Sequence, residues 1–394
     1  MLNRLSQVDE LCVLDFEFST FGGEVVPISY VARVEDKHPI DRSVVYLQNW
    51  KPKKGSTPPY SPGPNNLVVT FFGEAEMWLI DHLGWPMPEN HIDCFVEHRN
   101  LFNGLLPKGK GVWDLESVAK KFKIQTDYKA TDKTGLRERL GNGTFREDEQ
   151  EDIFRYNKLD VKATYEIFKH LLLVIENDPA LDANRYFRQA LLRGRQVNAI
   201  GKMINTGIPV DQKSTELIIN NIDAITQHFI TKANKELGIW DGTQLSMKKF
   251  ADLLDEEKLL NSWPRTPTGA LKTNKETIRE FADNRKIFQF QTVQSFRQAT
   301  KLKDVPLNKT NSRASCYLSM FNNITSRAGP ATSKYIPNMS GAFRPLIQAQ
   351  KGCVIIERDW EQQEFLVAAA LSGDQAMMDA YFSGDPYLAL GIQS

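Results

Sequence analysis

Between Leu11 and Phe18 the chain reads LCVLDFEF, a run of strand composition that carries two acids, Asp15 and Glu17. Residues i and i+2 of a strand project to one side, so both carboxylates face one way while Phe16 and Phe18 face the other. Two like charges drawn together away from water are disfavoured, and a cation is their natural counterpart. The competing assignment is an edge strand with one solvated face.

The segments that follow predict an α/β layer. Strand-like alternation continues from Ile28 to Tyr46, and Pro52, Pro58, Pro59, Pro62 and Pro64 make Lys51 to Asn66 a surface loop. Leu67 to Phe72 reads as another strand, Glu74 to Leu83 as a helix, and Ile92 to Phe95 as a return to the sheet. From Ile153 the period turns helical, with Val161, Ile167, Phe168, Leu171 and Leu172 on one face. Tyr156 and Asp160 are four apart, so one helix presents both to a common ligand. Ordinary helices show that spacing too.

Asp-X-Glu on a first strand and Tyr-X-X-X-Asp on a late helix resemble the DEDD superfamily of 3′→5′ exonucleases in its tyrosine-bearing form. The resemblance implies a ribonuclease H-like domain over residues 1–178 and two Mg²⁺ (or Mn²⁺) ions about 4 Å apart, bound by hard oxygen ligands. Asp15, Glu17 and Asp160 would hold the ions and Tyr156 would orient the attacking water. The family's remaining acid follows an asparagine on the helix after the middle strand. Here that segment is FFGEAEMW, without an asparagine. Glu76 is the choice, because Ala-Glu ahead of the Leu-Gly-Trp-Pro at 83–86 looks like the phage branch; Asp93 is the alternative, at a position that tends to be structural in the family.

A helical region follows. Ala183 to Asn205 is amphipathic and stops at Gly207, Asp211 to Leu237 is a long helix capped by Gly238, and shorter helices are expected at Ser246 to Leu260 and Lys275 to Asn284. The chain holds 49 basic and 49 acidic residues, so any nucleic-acid surface must be local. One local excess exists: from Arg265 to Arg344, fourteen Lys and Arg face only Glu276, Glu280, Asp283 and Asp304. That distribution suits a grip on a duplex backbone. A solvated basic helix face would look the same.

Near the end, Val354-Ile355-Ile356 reads as a buried strand that delivers Asp359 to its end, and a helix from Gln362 carries Phe365, Val367, Ala368, Ala369 and Leu371 up to Ser372-Gly373. An aspartate so placed can hold a divalent metal or cap the helix. The segment DWEQQE at 359–364 resembles motif A of the family A DNA polymerases, the DNA polymerase I family, and the Ser-Gly-Asp sequences at 372 and 383 look like its phage branch. LRGR at 192–195 with GIPVD at 207–211 resembles the start of the thumb, and TSR at 325–327 with FRPLI at 343–347 resembles the contacts ahead of motif A. The family carries its exonuclease just before its polymerase, which is the order found here.

The resemblance therefore implies an exonuclease domain over 1–178, a helical thumb-like region over 179–311 and the opening of a polymerase palm over 312–394. Asp359 would bind the catalytic metals, Gln363 and Glu364 would meet the nucleotide, and Arg327, Lys334 and Arg344 would touch a DNA primer-template. In the family a fingers helix and a second palm aspartate come after motif A, whereas eight residues follow Pro386. Deoxynucleotide binding and polymerisation would then need the missing palm and fingers, supplied by a second polypeptide. A DNA-binding scaffold with an inactive exonuclease is the alternative, favoured by the altered middle motif.

Four cysteines with no close pair suit a reducing compartment and argue against a structural zinc site. With no signal-like N-terminus and no apolar run of membrane length, the expected location is the cytoplasm, that of the host if the protein is viral, with no membrane partner.

Overall fold

The computed structural model describes residues 8–20, 25–36, 43–105, 112–126, 130–297, 302–303, 305–308, 311–323, 325–330, 335–339 and 341–393. They fall into two compact units, Met1–Ile347 and Gln348–Ser394.

The first unit is built on a five-stranded sheet of β1 (Glu10–Ser19), β2 (Val26–Asp36), β3 (Val44–Trp50), β4 (Asn66–Thr70) and β5 (His91–Asp93). Its order is β3-β2-β1-β4-β5. The three early strands are antiparallel, whereas β4 pairs in parallel with β1 and β5 in parallel with β4, the last two joined by one helical crossover. β1 is therefore a central strand, which removes the edge-strand assignment. Its register sets Asp15 opposite Val31 and Glu17 opposite Ser29, with a bulge just after Glu17. Bulges re-aim side chains next to functional sites.

The helices of this layer are α1 (Gly73–His82), α2 (Cys94–Phe102), α3 (Leu115–Lys121), α4 (Ala130–Gly141) and α5 (Gln150–Asn177). The expected strand at Ile92 to Phe95 ends early because the Asp93 carboxylate accepts the Phe95 N–H and starts α2 at Cys94. α5 buries Ile153, Asn157, Asp160, Val161, Thr164, Ile167, Phe168 and Leu171, the expected 3.6-residue stripe.

The next helix, α6 (Ala183–Thr206), is opened by Asp182, which accepts the Asn184 and Arg185 N–H groups, and is stopped by Gly207 at φ 65°. Tyr186, Phe187, Ala190, Val197, Ile200 and Ile204 all lie in the sheet's own core. The packing thus crosses residue 178, where the first domain was expected to end. Two glycines explain the fit: a Cβ at Gly194 would stand 1.8 Å from the His91 carbonyl oxygen, and one at Gly201 would stand 2.4 Å from Met77 Cβ. Beyond α6, the long helix α7 (Gln212–Leu237) contributes to two further cores. One gathers Phe250, Leu253, Leu254, Trp263, Ile278 and Phe290 around its C-terminal half. The other gathers Val210, Ile222, Cys316, Ile336, Phe343 and Leu346. Helices expected at Ser246 to Leu260 and Lys275 to Asn284 form as α8 (Met247–Glu256) and α9 (Lys275–Glu280), and α10 (Arg285–Arg297) follows.

The second unit holds three short helices, α11 (Gln363–Ser372), α12 (Gln375–Phe382) and α13 (Pro386–Gln393). α11 ends at Gly373, φ 68°, as expected. The strand expected at Val354 to Ile356 is not formed, and Val354 and Ile356 are 80% and 82% exposed. A strand is held by backbone groups on a neighbouring strand, and no described segment pairs with this run. Among the described residues, no helix is long and apolar enough to cross a membrane.

Candidate active site

Asp15 and Glu17 lie on the central strand and Asp160 on the helix packed across it, and ligand oxygens of all three come within 4.8 Å of one another. Asp160 is 9% exposed, and the other two are partly buried. These are the three acids that the resemblance named together, and spacing alone had paired only Asp15 with Glu17. Like charges this close repel, and the repulsion grows as water is excluded, so a divalent cation is the counterpart that the set fits.

Tyr156 precedes Asp160 by one turn on α5. Its hydroxyl is pushed above the usual tyrosine range, first by burial and then by the charges of Asp160, Glu17 and Asp15, against the opposing charge of Arg137. The phenol therefore stays protonated and shares the field of all three carboxylates. Arg137, an exposed residue of α4, was not singled out by the sequence, because its tie to the site is spatial.

Glu76 lies outside the 4.8 Å set yet belongs to the same electrostatic neighbourhood. It is 4% exposed, and its Oε2 has no hydrogen-bond partner among the described residues. Burial raises its pKa well above the carboxylate norm, and the charges of Asp93, Glu17 and Asp160 add to the rise. A buried acid with an oxygen left unbonded beside three other acids has the chemistry of a further cation ligand.

Asp93 does different work. Its Oδ1 accepts the N–H groups of Phe72 and Phe95, and its Oδ2 that of Gly73, each at 3.0 Å. Burial still pushes its pKa up to about 7, although the three donors favour the charged form. Those bonds close the N-termini of both α1 and α2, so the carboxylate is already committed to backbone.

Glu74 was missed. It is 3% exposed, its Oε1 accepts the Met320 N–H at 2.8 Å, and burial pushes its pKa up to about 8. The partner is 246 residues away, so nothing local marks this acid.

Asp359, Gln363 and Glu364 belong to the second unit, and Arg327 and Arg344 to the first. Asp359 is exposed, and its Oδ1 accepts the Trp360 N–H at 3.0 Å. It does not cap α11, whose N-cap is Gln362 at φ 48°. Gln363 and Glu364 are exposed in the first turn of that helix. Arg327 is exposed beside the turn that joins β6 (Leu318–Ser319) to β7 (Gly329–Pro330). Arg344 lines a polar cleft of about 370 Å³ with Lys275, Gln291 and Asn338. Lys334 lies outside the described residues. Part of the basic excess is spent locally: Lys286 pairs with Glu257 at 2.8 Å, Lys303 with Asp223 at 2.7 Å, and Arg313 donates to the Gly207 carbonyl at 2.9 Å.

No protein-family model and no curated protein matches the chain. Solved structures do, among them the POL domain of Pol1 from M. smegmatis in complex with DNA primer-template and dNTP, at a TM-score of 0.52 and 14% identity. The likeness covers 98% of this chain. The chain has the fold of a DNA polymerase domain. It spans 63% of the length of that neighbour.

Proposed function

We propose that the chain is part of a phage-like family A DNA polymerase and that its first unit is a metal-dependent 3′→5′ exonuclease acting on DNA. The observation that carries this reading is the convergence of Asp15, Glu17 and Asp160 within 4.8 Å, one helical turn from Tyr156. A fold shared with a polymerase domain solved on primer-template supports DNA as the substrate.

The oxygen-only donor set suits two Mg²⁺ or Mn²⁺ ions, which when bound supply charge neutralisation for phosphodiester hydrolysis. Asp15, Glu17, Asp160 and Glu76 would hold them. Tyr156, kept as a neutral phenol, would orient the attacking water by hydrogen bonding. Arg327, Lys334 and Arg344 would contact the primer-template. Asp359 with Gln363 and Glu364 would serve nucleotide addition when the rest of a palm and fingers is present.

The test is degradation of a 3′-mispaired primer-template by the purified chain, with and without Mg²⁺. Wild type should shorten the primer from its 3′ end, while Asp15→Ala and Glu76→Ala should lose about two or more orders of magnitude in rate, as loss of a group central to transition-state stabilisation does. Primer-template binding without Mg²⁺-dependent shortening would instead identify a DNA-binding scaffold.

A further inference from the structure

The hairpin of β6 and β7 is joined to the exonuclease layer by contacts that the catalytic reading does not use. Met320 and Phe321 are 2% and 9% exposed within the sheet's core, and the Tyr317 ring meets Trp78 of α1 at 5.7 Å. Polar bonds add to this packing, among them one from Arg99 Nη1 to Ser319 Oγ at 3.4 Å. Glu74 Oε1 accepts the Met320 N–H at 2.8 Å, Arg99 Nη1 donates to the Met320 carbonyl at 3.1 Å, and Asn103 Nδ2 donates to the Asn323 carbonyl at 2.8 Å. At the other end of the turn, the Asn323 N–H meets the Arg327 carbonyl at 3.3 Å.

We propose that Glu74 is a positioning residue for Glu76, and that the 317–323 segment, through Glu74, is a structural part of the exonuclease metal site. The proposal rests on the exonuclease reading above. Glu74 and Glu76 are two residues apart on one helix, a rotation of roughly 200°, so they lie on nearly opposite sides of α1. Whatever holds Glu74 sets the rotation and height at which Glu76 is presented.

The helix is short and otherwise held at its ends and flank. Its N-terminal N–H groups are bound by Asp93, and a Cβ at Gly73 would come 2.4 Å from Thr70 Oγ1 and 2.7 Å from His91 Cε1. Gly201 of α6 presses on Met77. The Glu74 bond to Met320 is the lateral tie in the first turn. A metal ligand is sensitive to shifts of a few tenths of an ångström, and outer-shell partners of ligands commonly contribute 10- to 100-fold to metal affinity. The polar partner of Glu74 comes from a hairpin whose turn carries Arg327, so one element touches both the proposed DNA contact and the support of the fourth carboxylate.

The experiment measures Mn²⁺ binding to the full chain by the loss of the free-ion paramagnetic resonance signal, together with far-ultraviolet circular dichroism and exonuclease rate against Mg²⁺. Glu74→Leu should weaken Mn²⁺ binding by about 10- to 100-fold and raise the Mg²⁺ midpoint in parallel. Glu74→Gln keeps the oxygen that accepts the Met320 N–H and should stay within about twofold of wild type. Arg99→Leu, which leaves Glu74 in place but removes the bond to the Met320 carbonyl together with a cation beside Glu74 and Asp93, should shift affinity in the same direction by a smaller factor. If Glu74→Leu does not fold, Arg99→Leu decides the matter.

Unchanged Mn²⁺ affinity in folded Glu74→Leu or in Arg99→Leu overturns the proposal, since a merely structural contact would move the melting temperature alone. Wild type that binds Mn²⁺ but hydrolyses no DNA overturns the exonuclease reading and leaves the positioning result standing. Wild type that binds no Mn²⁺ overturns both.

Discussion

The carboxylate of Asp93 accepts the Gly73 N–H at 3.0 Å, and this bond joins the end of β5 to the start of the helix that carries Glu76. The same side chain takes the Phe72 and Phe95 N–H groups. Three backbone donors that would otherwise be buried without partners are satisfied by one residue. Phe72 needs this help, because it sits at φ 67°, a conformation costly for a non-glycine residue.

Asp93→Asn turns one acceptor into a donor that faces another donor. The expected loss is about 1–3 kcal/mol of unfolding free energy, the cost of leaving a buried polar group unsatisfied. A urea titration checks it. A midpoint equal to that of wild type would show that the cap is dispensable.

Gly194→Ala tests the closeness of α6 to the sheet. The new Cβ would stand 1.8 Å from a backbone oxygen, which cannot move aside as a flexible side chain can. Overpacking of this kind costs about 1–3 kcal/mol or more. Gly141→Ala, with no atom within 4 Å of the new Cβ, is the control and should be neutral or mildly stabilising in the same thermal melt.

His98 gives the chain an acid-sensitive core. It is 1% exposed among Phe102, Trp113 and Phe122, its Nδ1 has no hydrogen-bond partner among the described residues, and burial with the charges of Lys121 and Arg99 lowers its pKa from 6.5 to about 3. The unfolded chain binds a proton here below pH 6.5 and the folded chain does not, so this contribution to stability is present above pH 6.5 and is lost as pH falls toward 3. The slope is on the order of 1 kcal/mol per pH unit. His98→Phe should flatten the dependence of melting temperature on pH in that window relative to wild type; parallel curves would count against a neutral, buried imidazole.

Apolar exposure in the second unit predicts self-association. Val354, Ile356 and Trp360 are 80%, 82% and 72% exposed. Large apolar side chains left exposed close together in the chain favour an interface or aggregation. Light scattering should find a mass that rises with concentration and falls back in the Val354→Lys, Ile356→Lys double variant. A monodisperse wild-type monomer would remove the argument.

Much of the site was legible because its cues are periodic. Alternation along LCVLDFEF put Asp15 and Glu17 on one side of a strand, and the four-residue interval put Tyr156 and Asp160 on one face of a helix; the fold joins these faces at one place. The helix at 363–372 was legible for the same reason, down to its glycine stop. The preference for Glu76 over Asp93 came from the resemblance, since by spacing alone both are acids near the start of a helix. Hydrogen bonding separates them: Asp93 is committed to three backbone N–H groups, and Glu76 keeps a buried oxygen unbonded.

The sequence by itself determined which side chains share a face, because strand and helix periods are properties of neighbouring residues. Tertiary structure alone decided what those faces meet. Glu74 finds Met320 across 246 residues, α6 closes on β5 only because Gly194 has no side chain, and Val354 to Ile356 stays unpaired despite strand-forming residues. Each outcome depends on a partner distant along the chain, and a local pattern carries no record of that partner.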